Sequence, residues 1–86
     1  MTVEIDQTRQ AINITWDQTA LNGDTVDLKC TNPNNEDVST RTGIDNDGAA
    51  VVTYPIDYTG QSHVTITDAD GNTEEGTITI GDTFDE

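Results

Sequence analysis

Residues 48–80 read GAAVVTYPIDYTGQSHVTITDADGNTEEGTITI. Apolar residues recur there at every second place: Val52, Tyr54 and Ile56, then Val64 and Ile66, then Ile78 and Ile80. Threonines fill alternate positions, Thr65 and Thr67 in the second row, Thr77 and Thr79 in the third. Successive side chains of a strand point to opposite faces of its sheet, so each row marks a strand with one apolar and one wet face. Asp70-Gly71 separates the last two rows and tolerates the positive φ that a tight hairpin needs. Pro55 has no backbone N–H to donate, which places it at the end or the edge of a strand.

The same period runs toward the N-terminus. Val3 and Ile5 alternate with Thr2, Glu4 and Asp6; Ile12, Ile14 and Trp16 with Asn13 and Thr15; Val26, Leu28 and Cys30 with Asp27 and Lys29. Val38–Ile44 is a weaker strand candidate. Asn22-Gly23 and Asp47-Gly48 are turn dipeptides, and Asn32-Pro33-Asn34-Asn35 is a loop. No stretch carries helical periodicity, a linker or a repeat. About seven short strands with one wet face each predict an all-β chain, folded as a two-sheet antiparallel sandwich. Residues 1–86 read as one domain. Thr2–Gln7 is read as a possible extra edge strand and residues 82–86 as an acidic tail.

Within Gly48–Ile80 a strand ends near Tyr54–Pro55, a glycine corner follows at Gly60, and then come Val64–Asp68, a hairpin at Asp68–Asn72 and a terminal strand at Thr77–Ile80. This succession resembles the second half of bacterial-type immunoglobulin-like domains and covers roughly the last 40% of the chain. The resemblance implies a single Ig-like antiparallel β-sandwich and a binding or structural module of the kind found in surface adhesins, secreted enzymes and virus particles. The chain departs from antibody domains in having one cysteine, hence no disulfide between sheets, and in placing Trp16 before the strand that carries Cys30.

Composition limits function. Leu, Ile, Val and Phe are only 17 of 86 residues, yet Thr, Val and Ile are 30, and β-branched residues favour a half-buried sheet. Surface scaling gives about 60% burial for a chain of this size, a thin core with little room for a deep cleft. Seventeen acidic residues face three cations, Arg9, Lys29 and Arg41, for a net charge of -14. That excludes an ordinary nucleic-acid binder and disfavours anionic membranes. No apolar run is long enough to insert in a membrane. The charge exceeds the magnitude of about 2–8 that suits a small soluble domain. It predicts a halophilic, salt-adapted surface or an acidic patch that meets a basic partner.

Cys30 falls on the apolar side of its strand and is read as core, in a chain with few cations to stabilise a thiolate. His63 faces solvent; catalysis would require Ser39 or Ser62 beside it, an orienting acid and an oxyanion hole. No catalytic residues and no cofactor are assigned. Asp45, Asp47, Asp68 and Asp70 flank the hairpins and are read as turn formers with at most weak cation association, not a calcium site, since Gly71 falls at the wrong place for an EF-hand loop. Asn13-Ile14-Thr15 matches a glycosylation acceptor but lies mid-strand.

The remaining expectation is a non-enzymatic structural protein whose partner is protein: other copies of itself, or a larger capsid, scaffold or surface protein. Met1 at the start and the absence of an export signal favour a virion accessory subunit, such as a capsid decoration, turret or tail-associated protein. The alternative is an Ig-like module of a prokaryotic cell-surface or adhesion protein, extracellular in location. Val3 and Ile5 are interaction candidates, with the N-terminal strand adding to a neighbour's sheet or pairing within its own domain. Asn34, Asn35 and Gly71 are the other candidates, on the expectation that Asn32–Asp37 and Asp68–Asn72 share one pole.

Overall fold

Each alternating row becomes a strand in the computed structural model, which describes residues 1–6, 11–55 and 58–80. The strands are β1 (Thr2–Asp6), β2 (Ala11–Thr15), β3 (Thr25–Thr31), β4 (Asp37–Asp45), β5 (Ala49–Thr53), β6 (Gly60–Thr67) and β7 (Thr73–Ile80). A short 3-10 turn, Gln18–Ala20, begins at Asp17, whose carboxylate accepts the Thr19 N–H at 2.9 Å. Trp16 and Tyr54 stand just past the ends of β2 and β5. Ile56, Gln7 and the acidic tail lie outside the described residues.

The strands form two antiparallel sheets, β1-β2-β5 and β4-β3-β6-β7. This is the expected small β-sandwich. Its core is made of apolar rows from five strands: Ile12, Ile14, Val26, Leu28, Cys30, Val52, Val64, Ile66 and Ile80, with Trp16, Leu21 and Tyr54 closing its ends and Val3, Val38 and Ile44 of β1 and β4 packed against it half-buried. Cys30 is a free, fully buried thiol, as its spacing predicts. Burial pushes its pKa up, against a smaller opposing pull from the Tyr54 hydroxyl.

β4 is longer and less regular than its sequence suggests. Its register against β3 shifts twice, between Val26 and Leu28 and between Cys30 and Thr31. Such irregularities bend and twist a strand locally. Gly43 sits at the first of them, at φ 66°, and donates its N–H to the Asp27 carboxylate at 3.0 Å.

One alternative is decided and one expectation changes. First, Thr2–Asp6 pairs along its whole length with β2 in the same domain, from Thr2 opposite Thr15 to Asp6 opposite Ala11. Its start also packs across the sandwich on β7. A Cβ built on Gly76 would stand 3.0 Å from the Met1 sulfur and 3.3 Å from a Val3 methyl. β1 is an edge strand of the domain's own three-stranded sheet, the second of the two alternatives. Second, Asn32–Asp37 and Asp68–Asn72 occupy opposite poles. β3 and β6 run antiparallel, Asp27 beside Thr67 and Thr31 beside His63, so the loop after Thr31 and the hairpin after Thr67 leave from opposite ends. The chain crosses the sandwich three times between the two loops, as β4, β5 and β6, and an odd number of crossings ends at the other pole.

Candidate functional site

The pole that carries residues 16–24, 46–48 and 68–72 is built around two side chains. Asn46 accepts the Trp16 indole N–H at 3.0 Å. Its amide nitrogen reaches the carbonyls of Gln18, Leu21 and Gly23 at 3.2–3.5 Å. Asp68 accepts four bonds: from the backbone N–H groups of Asn22, Asp70 and Asn72 and from the Asn72 amide, all at 2.8–2.9 Å. These donors hold its carboxyl at about 2, below the ordinary 3.8, the Asn22 N–H making the largest contribution against partial desolvation. Gly48, at φ 89°, lets the next turn press against the same cluster; a Cβ there would lie 3.2 Å from the Trp16 carbonyl oxygen.

Asp45, Asp47, Asp68 and Asp70 are all at this pole, but their carboxylates do not converge. Asp68 is surrounded by N–H donors, Asp70 accepts from the Asn22 amide at 3.3 Å, and Asp47 accepts the Ala49 N–H at 3.3 Å. Among the described residues no group of three or more His, Cys, Asp or Glu is arranged to hold a metal ion. Gly71 supplies the positive φ of the hairpin, 89°, and its N–H bonds to the Asp68 carbonyl.

At the other pole Asn32 plays the bracing part. Its side-chain oxygen accepts the N–H groups of Asn34 and Glu36, and its amide donates to the Glu36 carboxylate. Asn35 turns the loop at φ 66°, a conformation that asparagine tolerates. Asn34 and Asn35 are exposed there, far from Gly71.

Inside the sandwich, Ser62 donates to the Thr31 carbonyl at 3.0 Å and so accepts from the Tyr54 hydroxyl at 2.5 Å. Tyr54, next to Cys30, has its pKa raised mainly by burial. This line gives the buried Tyr54 and Ser62 hydroxyls and the Thr31 carbonyl a partner each. Ser62 faces the core while His63, its neighbour in the strand, faces out and pairs with Glu75 at 3.1 Å. No serine is brought to the histidine. Asn13 lies mid-strand in β2, flanked by Glu4 and Val51.

The backbone edges of the sheets differ most. The Trp16 N–H bonds to the Gly48 carbonyl, so by antiparallel alternation Ala50 and Val52 bond to β2, while Ala49, Val51 and Thr53 turn their N–H and C=O outward. Two of those outward groups are covered: Asp47 takes the Ala49 N–H, and Arg41 Nη1 reaches the Val51 carbonyl at 3.0 Å. On β7, the Asp68 N–H bonds to the Asn72 carbonyl, and the alternation from there turns Thr73, Glu75, Thr77 and Thr79 outward. Among the described residues nothing bonds to those eight groups. On β1 only Val3 and Ile5 face outward, and Ile5 is the one large apolar side chain left exposed among the described residues, at 36%. Arg41, Asn46 and the β7 edge carry no sequence motif. A clue to Asn46 is its place in Asn46-Asp47-Gly48, before a turn glycine.

Comparison of the chain with protein-family models, with curated proteins and with solved structures finds no match.

Proposed function

We propose that the chain is a non-enzymatic structural and binding module of the immunoglobulin-like type, serving as an accessory subunit of a virus particle with a salt-adapted surface. The observation that carries the reading is where the polar side chains point. Asn46 and Asp68 bond to the backbone of an adjoining loop, Asn32 to that of its own, and Ser62 and Tyr54 to each other and to β3. They brace a scaffold and do not converge on a cleft. The strand order supports the immunoglobulin-like part: first, second and fifth strands share one sheet, and third, sixth and seventh the other, as in such sandwiches. β4 lies beside β3, which leaves β5 as a sheet edge. The charge of -14 supports salt adaptation, because self-repulsion at that density needs screening.

An antibody against the folded domain tests the assignment. Purified particles from the source should carry the chain at fixed stoichiometry to the main shell protein. Label on intact, uninfected cells would transfer the chain to a cell-surface role. Its absence from both would end the attachment reading altogether.

A further inference from the structure

The four edge strands are unequally protected against pairing with another chain. β5 has its own side chains on two outward groups. β4 is bent by two register shifts. β1 is five residues long and offers two outward residues. β7 is eight residues long, pairs without a shift from Thr67–Thr73 to Gly60–Ile80, and leaves four outward residues unbonded. A long regular edge is a ready template for a further strand.

The charges on β7 indicate which strand fits. Glu74 lies opposite the buried Ile66 and so sits on the inner face of the sheet, half-buried, with no cation beside it among the described residues. Glu75, next along, lies opposite Thr65 on the outer face, where His63 reaches it. A carboxylate on the inner face of an edge opposes any strand that brings an apolar or acidic residue against it. A second copy would bring a net charge of -14 with it. A strand with two adjacent basic residues would instead set one cation against Glu74 and one against Glu75, one on each face.

We propose that β7 is the docking edge of the domain, and that its occupant is an extended strand of a different, basic protein. The strand pairs its backbone with Thr73, Glu75, Thr77 and Thr79 and its adjacent Lys or Arg residues with Glu74 and Glu75. The inference rests on the attachment reading above and names the surface and partner chemistry that reading lacks.

The probe is a synthetic peptide of about nine residues that alternates Val and Thr and carries two adjacent lysines at its centre. With the isotope-labelled domain, amide shifts should be confined to β7 and centre on Thr73, Glu75, Thr77 and Thr79. Affinity should fall at least about tenfold when the lysines become glutamines, and should weaken as salt rises. Thr77→Pro removes an N–H that points away from β6, so the sheet keeps its own bonds while the added strand loses one; binding should disappear with Trp16 fluorescence unchanged. The double change Glu74→Lys and Glu75→Lys supplies a second route if the proline variant does not fold. It should reject the lysine peptide and accept one with two central glutamates. Shifts at β1, β4 or β5, or equal binding by wild type and either variant, would overturn the proposal. A chain found on particles whose β7 binds no peptide refutes this inference alone. Peptide binding by a chain absent from particles refutes the particle reading alone.

Discussion

β5 and β7 are both edge strands of the same small sandwich, yet they meet solvent differently. On β5, Arg41 spans from one sheet to the other to bond the Val51 carbonyl, and Asp47 folds back onto the Ala49 N–H. On β7, Thr73, Glu75, Thr77 and Thr79 keep their outward backbone groups unbonded among the described residues. The chain has only three cations, and one of them closes an edge. The difference teaches that overall charge does not protect every edge equally. Repulsion between copies acts at long range and is screened by salt, whereas a capped carbonyl is unavailable at any ionic strength.

The largest test of that contrast removes β1, the strand that packs across the sandwich on β7. Met1 and Val3 pack over Gly76, and β1 covers the backbone edge of β2. Deletion of residues 1–6 should cost about 3–5 kcal/mol from lost apolar burial, and lower the thermal midpoint by roughly 10–30 °C. Circular dichroism melting measures it. An unchanged midpoint would mean that β1 is an appendage after all, and that β7 does not depend on it.

Salt should separate fold from docking. The net charge of -14 destabilises the folded chain through self-repulsion, so the melting midpoint should rise by roughly 10 °C or more between 0.1 and about 2 M KCl. The same screening weakens a basic strand's hold on Glu74 and Glu75. Trp16, anchored to Asn46, reports the first effect by fluorescence, and peptide titration reports the second. Two curves moving in the same direction would show that the β7 contact is not electrostatic. A flat midpoint would remove the case for a salt-adapted surface.

Asp68 fixes the hairpin from which β7 starts, and pH reveals its share. The folded-state carboxyl is held at about 2, below the ordinary 3.8, chiefly by the Asn22 N–H. Between those values the unfolded chain binds the proton that the folded chain refuses, so this stabilisation is complete above about pH 5 and is lost as pH falls toward 2. Net charge also shrinks toward the pI of 4.1, in wild type and variant nearly alike. The measurement is therefore the difference between wild type and Asp68→Asn in chemical unfolding across pH. Wild type should be the more stable at neutral pH, and the gap should close in acid. A gap independent of pH would show that Asp68 acts as a shape and not as a charge.

Much of this fold was legible as alternation, because a strand with one buried face must repeat every two residues. Gly23, Gly48 and Gly71, each read as part of a turn dipeptide, all adopt positive φ. Pairing was less legible. Nothing in Thr2–Asp6 states whether that strand pairs within its own domain or with a neighbour, whereas the pole of Asn34 and Asn35 follows from the three strands, β4, β5 and β6, that intervene before Gly71. Site residues were legible in part. Asp68 was readable as a turn former because Asp70 and Asn72 are nearby in sequence, though the Asn22 bonds to Asp68 and Asp70 span 46 and 48 residues. Arg41 looked like any polar residue on a wet strand, since its bond to Val51 exists only once two sheets face each other. The outward backbone groups of β7 carry no side-chain signature at all, because every residue has the same N–H and C=O.

The smallest change in stability should come from Arg41→Ala, and it bears most directly on the two edges. Arg41 is exposed, and its single bond to a carbonyl contributes under about 1 kcal/mol to folding. Its expected importance is in what the Val51 carbonyl does once released. With β7 closed by Thr77→Pro, the added Arg41→Ala change should let β5 pair with β5 of another copy. Molar salt is required, so that repulsion no longer keeps the copies apart. Sedimentation velocity at rising protein concentration separates the cases. Thr77→Pro alone should stay monomeric, and the double variant should form dimers that dissociate when salt is withdrawn. If both remain monomeric, the five-residue length of β5 is protection enough, and Arg41 braces the two sheets without guarding the edge.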